Sequence, residues 1–177
     1  MSRARLAWAL AFVSSACSEP LPEIAEVPPF ELISQDGLPF GTAQLQGRVW
    51  VANFVFTTCP SVCPMLTTQM GNLQRRVDDE VLLVSFSVDP ERDTPEVLRR
   101  YREAHDADWT FLTGRPDEVR RVITEGLKMG MGERDADGDI THAMHFVLVD
   151  REGKIRGFYR TDADSQQALE QAIRDLL

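Results

Sequence analysis

Two almost entirely apolar segments, residues 49–56 and 81–88, constrain the fold of this chain most strongly. Their length and composition suit strands that are buried on both faces of a parallel or mixed sheet. Between them, four apolar residues recur at helical spacing and predict a helix over residues 64–77: Leu66, Met70, Leu73 and Val77. Strand, helix and strand in this order predict a βαβ unit.

The flanking segments predict two hairpins and three more helices. The hairpins are expected at residues 30–40 and 146–159, and residues 140–149 read as one strand. One helix should begin at Thr94, which can cap it ahead of Pro95, a second should cover residues 117–128, and a last should close the chain. This order predicts an α/β fold, a single thioredoxin-like domain with an N-terminal hairpin, over residues 28–177.

The N-terminus has the pattern of an export signal. Arg3 and Arg5 precede an apolar run over residues 6–13, which is too short to span a bilayer as a helix. Small residues then lead to Cys17, as in a bacterial lipobox, although Ser14 stands where leucine is usual. We therefore expect residues 1–17 to be a signal peptide ending at a lipidated Cys17 and residues 18–27 to be a tether. The protein should be exported and membrane-anchored by lipid, facing the periplasm or the cell exterior.

The charge of the chain indicates whether nucleic acid can be a partner. The formal net charge is −9 at pH 7, and removal of Arg3 and Arg5 with the leader makes the remaining chain more acidic. Such a surface repels phosphate backbones, so we expect no nucleic acid partner.

A pair of cysteines, Cys59 and Cys63, follows the first apolar strand. Two sulfurs four residues apart can close a disulfide, exchange electrons with other thiols, or bind a soft metal ion such as Cu(I) or Zn(II). Pro64 disfavours helical geometry at the preceding residue, so Cys63 is expected as the N-cap of the next helix. The positive end of that helix would then favour thiolate at both sulfurs.

Three histidines could supply a third ligand. His105 falls at the end of a helix and reads as a surface residue, whereas His142 and His145 lie in the same late strand. Their odd separation puts them on opposite faces, so only one can face the cysteines, and periodicity does not choose between them. The acidic residues 135–139 lack the spacing of a calcium loop, and Met129 and Met131 are expected to serve core packing.

Three motifs together carry a family resemblance. They are Phe-Thr-Thr-Cys-Pro-Ser-Val-Cys-Pro at residues 56–64, Phe-Ser-Val-Asp-Pro-Glu-Arg-Asp-Thr at residues 86–94, and Ile-Thr-His at residues 140–142 followed by Phe-Val-Leu-Val-Asp-Arg-Glu-Gly at residues 146–153. In this order they resemble the Sco (SenC) family of copper-handling proteins. The resemblance implies a thioredoxin-like fold with Cys59, Cys63 and His142 as copper ligands. It also selects copper over zinc, which would accept the same donors.

The second motif contains Asp89, at the carboxyl end of the second apolar strand. Its carboxylate could orient a ligand or a docking partner. It could equally serve to cap the turn that leads to Thr94.

The resemblance implies one function, and the chemistry of the cysteine pair leaves a second one open. The first is a metallochaperone that delivers Cu(I) or Cu(II) to the binuclear copper site of cytochrome c oxidase subunit II. The second is a membrane-tethered thiol-disulfide oxidoreductase in which Cys59 and Cys63 form the redox pair. A peroxiredoxin is disfavoured, because Phe56 and Ala52 stand where such enzymes need threonine and proline.

Overall fold

The computed structural model describes residues 20–59, 62–77, 79–134, 140–142 and 144–177. Ten strands are present among these residues: β1 Ala25–Glu26, β2 Glu31–Ser34, β3 Pro39–Gly41, β4 Trp50–Val55, β5 Leu82–Ser87, β6 Thr110–Thr113, β7 Met131–Arg134, β8 Ile140–His142, β9 Phe146–Val149 and β10 Lys154–Tyr159. The helices are α1 Thr42–Leu45, α2 Val62–Gln74, α3 Pro95–Ala104, α4 Pro116–Arg121 with a π-helical turn at Val122–Gly126, and α5 Ala163–Leu176.

Eight of these strands form one sheet in the order β1-β10-β9-β4-β5-β6-β2-β3. The predicted βαβ unit lies at its centre, where β4 and β5 run parallel from the pair Trp50 and Leu82 to the pair Val55 and Ser87. All six residues of β4 and five of the six in β5 are buried, as expected for strands covered on both faces. The remaining strands, β7 and β8, form a separate two-stranded sheet.

The sheet topology brings three chain segments to one edge. Because β4 and β5 are parallel, the segments that follow them, with Cys59 and Asp89, leave the sheet on the same side. β9 is antiparallel to β4, so its first residue, Phe146, lies at that edge too, just after His142. The carboxyl ends of central parallel strands are the usual place for a binding site in open α/β sheets.

Two features differ from the sequence-based expectation. Residues 140–149 do not form one strand, because β8 pairs with β7 and β9 pairs with β4 and β10. Part of the expected tether also belongs to the fold, since β1 pairs with β10 and Val27 is buried in the core. The ordered domain therefore begins before residue 28.

Besides β1, two strands were not anticipated from the sequence, β6 and β7. β6 is only four residues long, and its pairing with β5 buries Phe111 and Leu112. It lies between helices that are stronger signals, so its short apolar run is easily read as a loop.

Candidate metal centre

The two cysteines are close together and almost inaccessible to solvent. Cys59 follows the end of β4 and is 7% exposed, and Cys63 lies in the first turn of α2 and is fully buried. The backbone N–H of Cys63 donates a hydrogen bond to Cys59 Sγ over 3.4 Å, and no disulfide joins the two sulfurs. α2 begins at Val62, so Cys63 is inside the helix rather than at its N-cap, and Pro64 is accommodated within the first turn.

The electrostatics of the two sulfurs differ. Cys59 Sγ receives an N–H group from the first turn of α2, as the position of the helix predicted. For Cys63 the prediction of a favoured thiolate is wrong, because burial raises the pKa of this thiol well above its ordinary value. A hydrogen bond with the Phe56 backbone lowers that pKa, but Cys59 and Asp93 raise it further. Cys63 is therefore a neutral thiol until a cation replaces its proton.

Of the two late histidines, His142 faces the cysteines. Its Nε2 atom lies 3.7 Å from Cys63 Sγ, and its ring meets the ring of Phe56 edge to face, with centroids 5.9 Å apart. His145 is half-buried in the segment between β8 and β9, and its Nδ1 atom has no hydrogen-bond partner in the described part of the chain. Of the two histidines that periodicity could not distinguish, His142 is thus the one whose imidazole lies beside a cysteine sulfur.

The distance between Cys63 Sγ and His142 Nε2 fits two ligands of one metal ion. Metal–sulfur and metal–nitrogen bonds of about 2.3 and 2.0 Å place the two ligand atoms roughly 3.5 to 3.8 Å apart, for angles between tetrahedral and trigonal. The described residues nevertheless contain no complete group of three or more His, Cys, Asp or Glu side chains arranged around a metal position. The pair of atoms at ligand spacing in the described residues is therefore Cys63 Sγ and His142 Nε2.

Asp93 supports the cysteine loop and was not singled out from the sequence. Its carboxylate is fully buried and accepts hydrogen bonds from Thr57 Oγ1 and Ser87 Oγ, both at 2.6 Å, and from the backbone N–H of Thr57. Burial raises the pKa of Asp93, hydrogen bonds from Ser87 and Thr57 lower it, and Asp89 raises it. Asp93 thereby joins the segment before Cys59 to β5. Its place four residues after Asp89 in the second motif was the available signal.

Asp89 itself lies in the turn between β5 and α3. It is buried, its N–H donates to Ser87 Oγ over 3.0 Å, and its carbonyl accepts the N–H groups of Arg92 and Asp93. These contacts belong to the turn that leads to α3, where Thr94 caps the helix by accepting from the N–H of Val97. A role of Asp89 toward a metal ligand or a docking partner stays a prediction.

The other candidates lie apart from the cysteines or outside the described residues. His105 ends α3, as expected, and packs against Tyr101 with ring centroids 4.2 Å apart and the ring planes tilted by 43°. Met129 is buried in the core, and Met131 opposes His142 in the two-stranded sheet. Cys17 and the acidic residues 135–139 fall outside the described residues.

No helix in the described ranges is both long enough and apolar enough to cross a membrane.

Residues 19–177 match the sequence profile of the SCO1/SenC family. Among solved structures, the chain is similar to a SCO1/SenC family lipoprotein from Bacillus anthracis, with 33% identity and a TM-score of 0.79 over 85% of this chain and 94% of that one. It is also similar to BsSco, described as having a disulfide switch and as a member of the Sco family of cytochrome c oxidase assembly proteins. That similarity is 31% identity and a TM-score of 0.75 over 85% of this chain and 92% of that one.

A third similar structure contains the metal. ScoI of Bradyrhizobium japonicum, solved with copper bound, is 29% identical, with a TM-score of 0.64 over 86% of this chain and 98% of that one. These similarities confirm the predicted thioredoxin-like α/β fold, and the copper-bound relative agrees with the predicted choice of metal.

Proposed function

Because the chain belongs to the SCO1/SenC family, we propose that it is a copper metallochaperone of cytochrome c oxidase assembly. Cys59, Cys63 and His142 hold the ion, and the acceptor is the binuclear copper site of oxidase subunit II. The observation that carries the proposal is the 3.7 Å separation of Cys63 Sγ and His142 Nε2, at an edge of the sheet that also carries Cys59.

This donor set suits a cargo that must be both bound and released. Two thiolates select soft Cu(I), and an imidazole also accepts Cu(II), so three ligands of this kind can hold copper in either oxidation state. Three protein ligands leave a coordination position that an acceptor can occupy during exchange. Copper then passes by replacement of one ligand at a time, without any change in its oxidation state.

The same cysteines make the site sensitive to oxidation. Oxidation to a Cys59–Cys63 disulfide removes two electrons and two protons and destroys both thiolate ligands, so the disulfide and bound copper exclude one another. The backbone nitrogen of Cys63 lies 3.4 Å from Cys59 Sγ, so the two cysteines are already close together in the reduced protein.

The disulfide switch described for BsSco supports a second candidate function, thiol-disulfide exchange. In that reaction the Cys59/Cys63 dithiol is oxidised to a disulfide while a disulfide of the partner protein is reduced to two thiols. A reductase of this kind would use both cysteines and would not need His142.

Copper loading followed by transfer tests the proposal. The reduced domain should bind one Cu(I) per chain, and the oxidised domain should bind essentially none until it is reduced. Mixing the loaded domain with the copper-free soluble domain of oxidase subunit II should move copper to subunit II, and the His142→Ala variant should transfer poorly. Reduction of a subunit II disulfide by copper-free protein, with no copper transfer by loaded protein, would favour the reductase function instead.

A lipid anchor at Cys17 would hold this domain at the membrane surface that bears the oxidase. The similar Bacillus anthracis protein is described as a lipoprotein, which supports this part of the proposal. Cys17→Ser should release the mature protein into the soluble fraction without changing its copper affinity. A variant that stays on the membrane with residues 1–16 uncleaved would contradict the lipoprotein assignment.

A further inference from the structure

His142 is carried by a part of the fold that is separate from the cysteines. β7 and β8 pair only with each other among the described strands, and they are not part of the eight-stranded sheet. Cys59 and Cys63, in contrast, follow β4 and begin α2, at the centre of the molecule. The position of the imidazole relative to the sulfurs therefore depends on how this two-stranded sheet, the histidine hairpin (residues 131–134 and 140–142), is held against the domain.

A cleft separates the hairpin from the neighbouring segments. It has a volume of about 330 Å³, and its lining includes Asp89, Pro116, Arg120, Met131 and Ile140. The side chain of Ile140 is buried and that of Met131 is half-buried, so both give the hairpin apolar contact with the core. Apolar packing beside an open cleft fixes direction weakly, because it has no geometric preference comparable with a hydrogen bond.

The side chain of Arg120 joins the hairpin to the domain by directional bonds. Arg120, in the last turn of α4, donates from Nη1 to the carbonyl of Met131 over 3.0 Å and from Nη2 to the carbonyl of Gly132 over 3.2 Å. Met131 is the residue directly opposite His142 in the β7–β8 ladder. The guanidinium thus bonds to β7 at Met131, and the partner of Met131 in the ladder is His142, the proposed copper ligand.

The third contact of Arg120 is weaker evidence for a role. Its Nη2 atom lies 2.8 Å from Glu133 Oε1, but the Glu133 side chain is 88% exposed. An ion pair so open to water contributes little, because water screens both charges. A planar guanidinium that donates to two successive carbonyls, however, fixes both distance and orientation, which a lysine ammonium on a flexible stem does not.

From these contacts we infer that Arg120 is a positioning residue for the metal centre, because it clamps the histidine hairpin and sets the position of His142 relative to Cys59 and Cys63. This inference rests on the proposed function in so far as His142 is a copper ligand. Outer residues that orient a ligand contribute about 10- to 100-fold to metal affinity. Arg120 should contribute to copper binding in this range through the hairpin, and its effect on the redox chemistry of the two thiols should be much smaller.

The test compares Arg120→Gln with Arg121→Gln. Both variants remove one positive charge from neighbouring positions of α4. Arg121, however, is exposed and makes no hydrogen bond or ion pair with the described residues of the hairpin. Hydrogen exchange in the copper-free proteins should be at least about tenfold faster at Thr141 and His142 in Arg120→Gln only, because the clamp limits local opening. Cu(II) affinity should fall about tenfold or more in Arg120→Gln, with a changed charge-transfer spectrum.

Two further measurements make the test specific. The reduction potential of the Cys59/Cys63 pair should change far less than the copper affinity in Arg120→Gln, because Arg120 bonds to the hairpin, and the hairpin reaches the pair through the 3.7 Å contact of His142 Nε2 with Cys63 Sγ. Glu133→Gln should leave hydrogen exchange and the spectrum nearly unchanged, because it keeps both bonds to the carbonyls.

The outcomes separate this inference from the proposed function. If His142→Ala changes the Cu(II) spectrum while Arg120→Gln changes neither the spectrum nor hydrogen exchange, the clamp is refuted and the ligand set stands. If His142→Ala leaves the Cu(II) spectrum intact, the ligand set itself is wrong. Equal effects of Arg120→Gln and Arg121→Gln would refute the clamp as well, because the loss of positive charge from α4 would then be the cause and not the loss of the bonds to the hairpin.

Discussion

Cys59 and Cys63 are supported by the central βαβ unit, whereas His142 is supported by a two-stranded sheet outside the main sheet. The cysteine half is fixed by buried strands, by the α2 backbone and by the carboxylate of Asp93. The histidine half depends on Ile140, Met131 and Arg120 beside an open cleft. In the proposed copper site, this division would allow His142 to move away from the ion while the dithiol keeps its geometry.

The largest effect should come from the cysteine half. Cys63→Ser and Cys59→Ser each replace a thiolate by a hydroxyl that does not ionise, so Cu(I) affinity should fall by at least about 100-fold, which is about 2.7 kcal/mol. Competition with a chromophoric Cu(I) chelator measures this loss. A serine variant that retains affinity within threefold would remove that sulfur from the site.

The pH dependence of copper binding should be nearly as large. Burial keeps Cys63 protonated at neutral pH, so copper must displace this proton, and affinity should rise by about tenfold per pH unit for each thiol proton released. Chelator competition between about pH 6 and pH 8 measures the slope, which Cys63→Ser should lower by about one. An affinity independent of pH would contradict the neutral Cys63 thiol.

The stability of the copper-free protein has the opposite dependence on pH. The pKa of Cys63 is raised on folding, so the neutral thiol stabilises the folded protein fully below its ordinary pKa of 9.0, and this contribution is lost as pH rises above that value. Unfolding curves of the copper-free protein on the two sides of that value should differ less in Cys63→Ser.

The histidine half should show a smaller and more selective effect. His142→Ala removes the nitrogen ligand, so the Cu(II) charge-transfer spectrum should change and Cu(II) affinity should fall by more than about tenfold. Cu(I) affinity should fall less, because both thiolates remain. His145→Ala, in the segment between β8 and β9, is the matched control and should change affinity by less than about twofold; equal effects of the two substitutions would refute the choice of His142.

The smallest expected effect concerns the carboxylate behind the cysteine loop. Asp93→Asn leaves one acceptor oxygen where two carboxylate oxygens accept from Thr57 and Ser87, so one of the two hydroxyl groups faces an amide N–H group instead of an acceptor, at a cost of about 1 to 3 kcal/mol in the free energy of unfolding. Copper affinity should weaken by up to about tenfold as the loop loosens. Denaturant unfolding and chelator titration measure the two effects, and a larger loss of copper in Asp89→Asn would restore Asp89 as the supporting acid.

The central βαβ unit and the cysteine pair could be predicted from the sequence, because buried parallel strands have continuous apolar runs and a helix has periodic ones. Helix 64–77 was displaced by two or three residues at each end, since a proline in the first turn of a helix, as Pro64 is in α2, removes no intrahelical hydrogen bond. The helix predicted over residues 117–128 ends in a π-helical turn at Val122–Gly126. The hydrophobic periodicity of the sequence does not predict such a turn.

The arrangement around His142 could not be predicted from the sequence, for a different reason. A continuous strand from residue 140 to 149 satisfies the apolar pattern, but the chain changes partner strand after His142, and pairing depends on residues far away in the sequence. The protonation of Cys63 was missed because the helix terminus is visible in the sequence, whereas burial of a side chain among distant residues is not.

X-ray absorption of the copper-loaded domain tests most directly whether the two halves of the site bind one ion together. We expect one copper per chain with two sulfur ligands at about 2.3 Å and one imidazole nitrogen at about 2.0 Å, and the nitrogen contribution should disappear in His142→Ala but persist in His145→Ala. Copper bound by the two sulfurs alone in the unmodified protein, with an unchanged spectrum in His142→Ala, would contradict this ligand set.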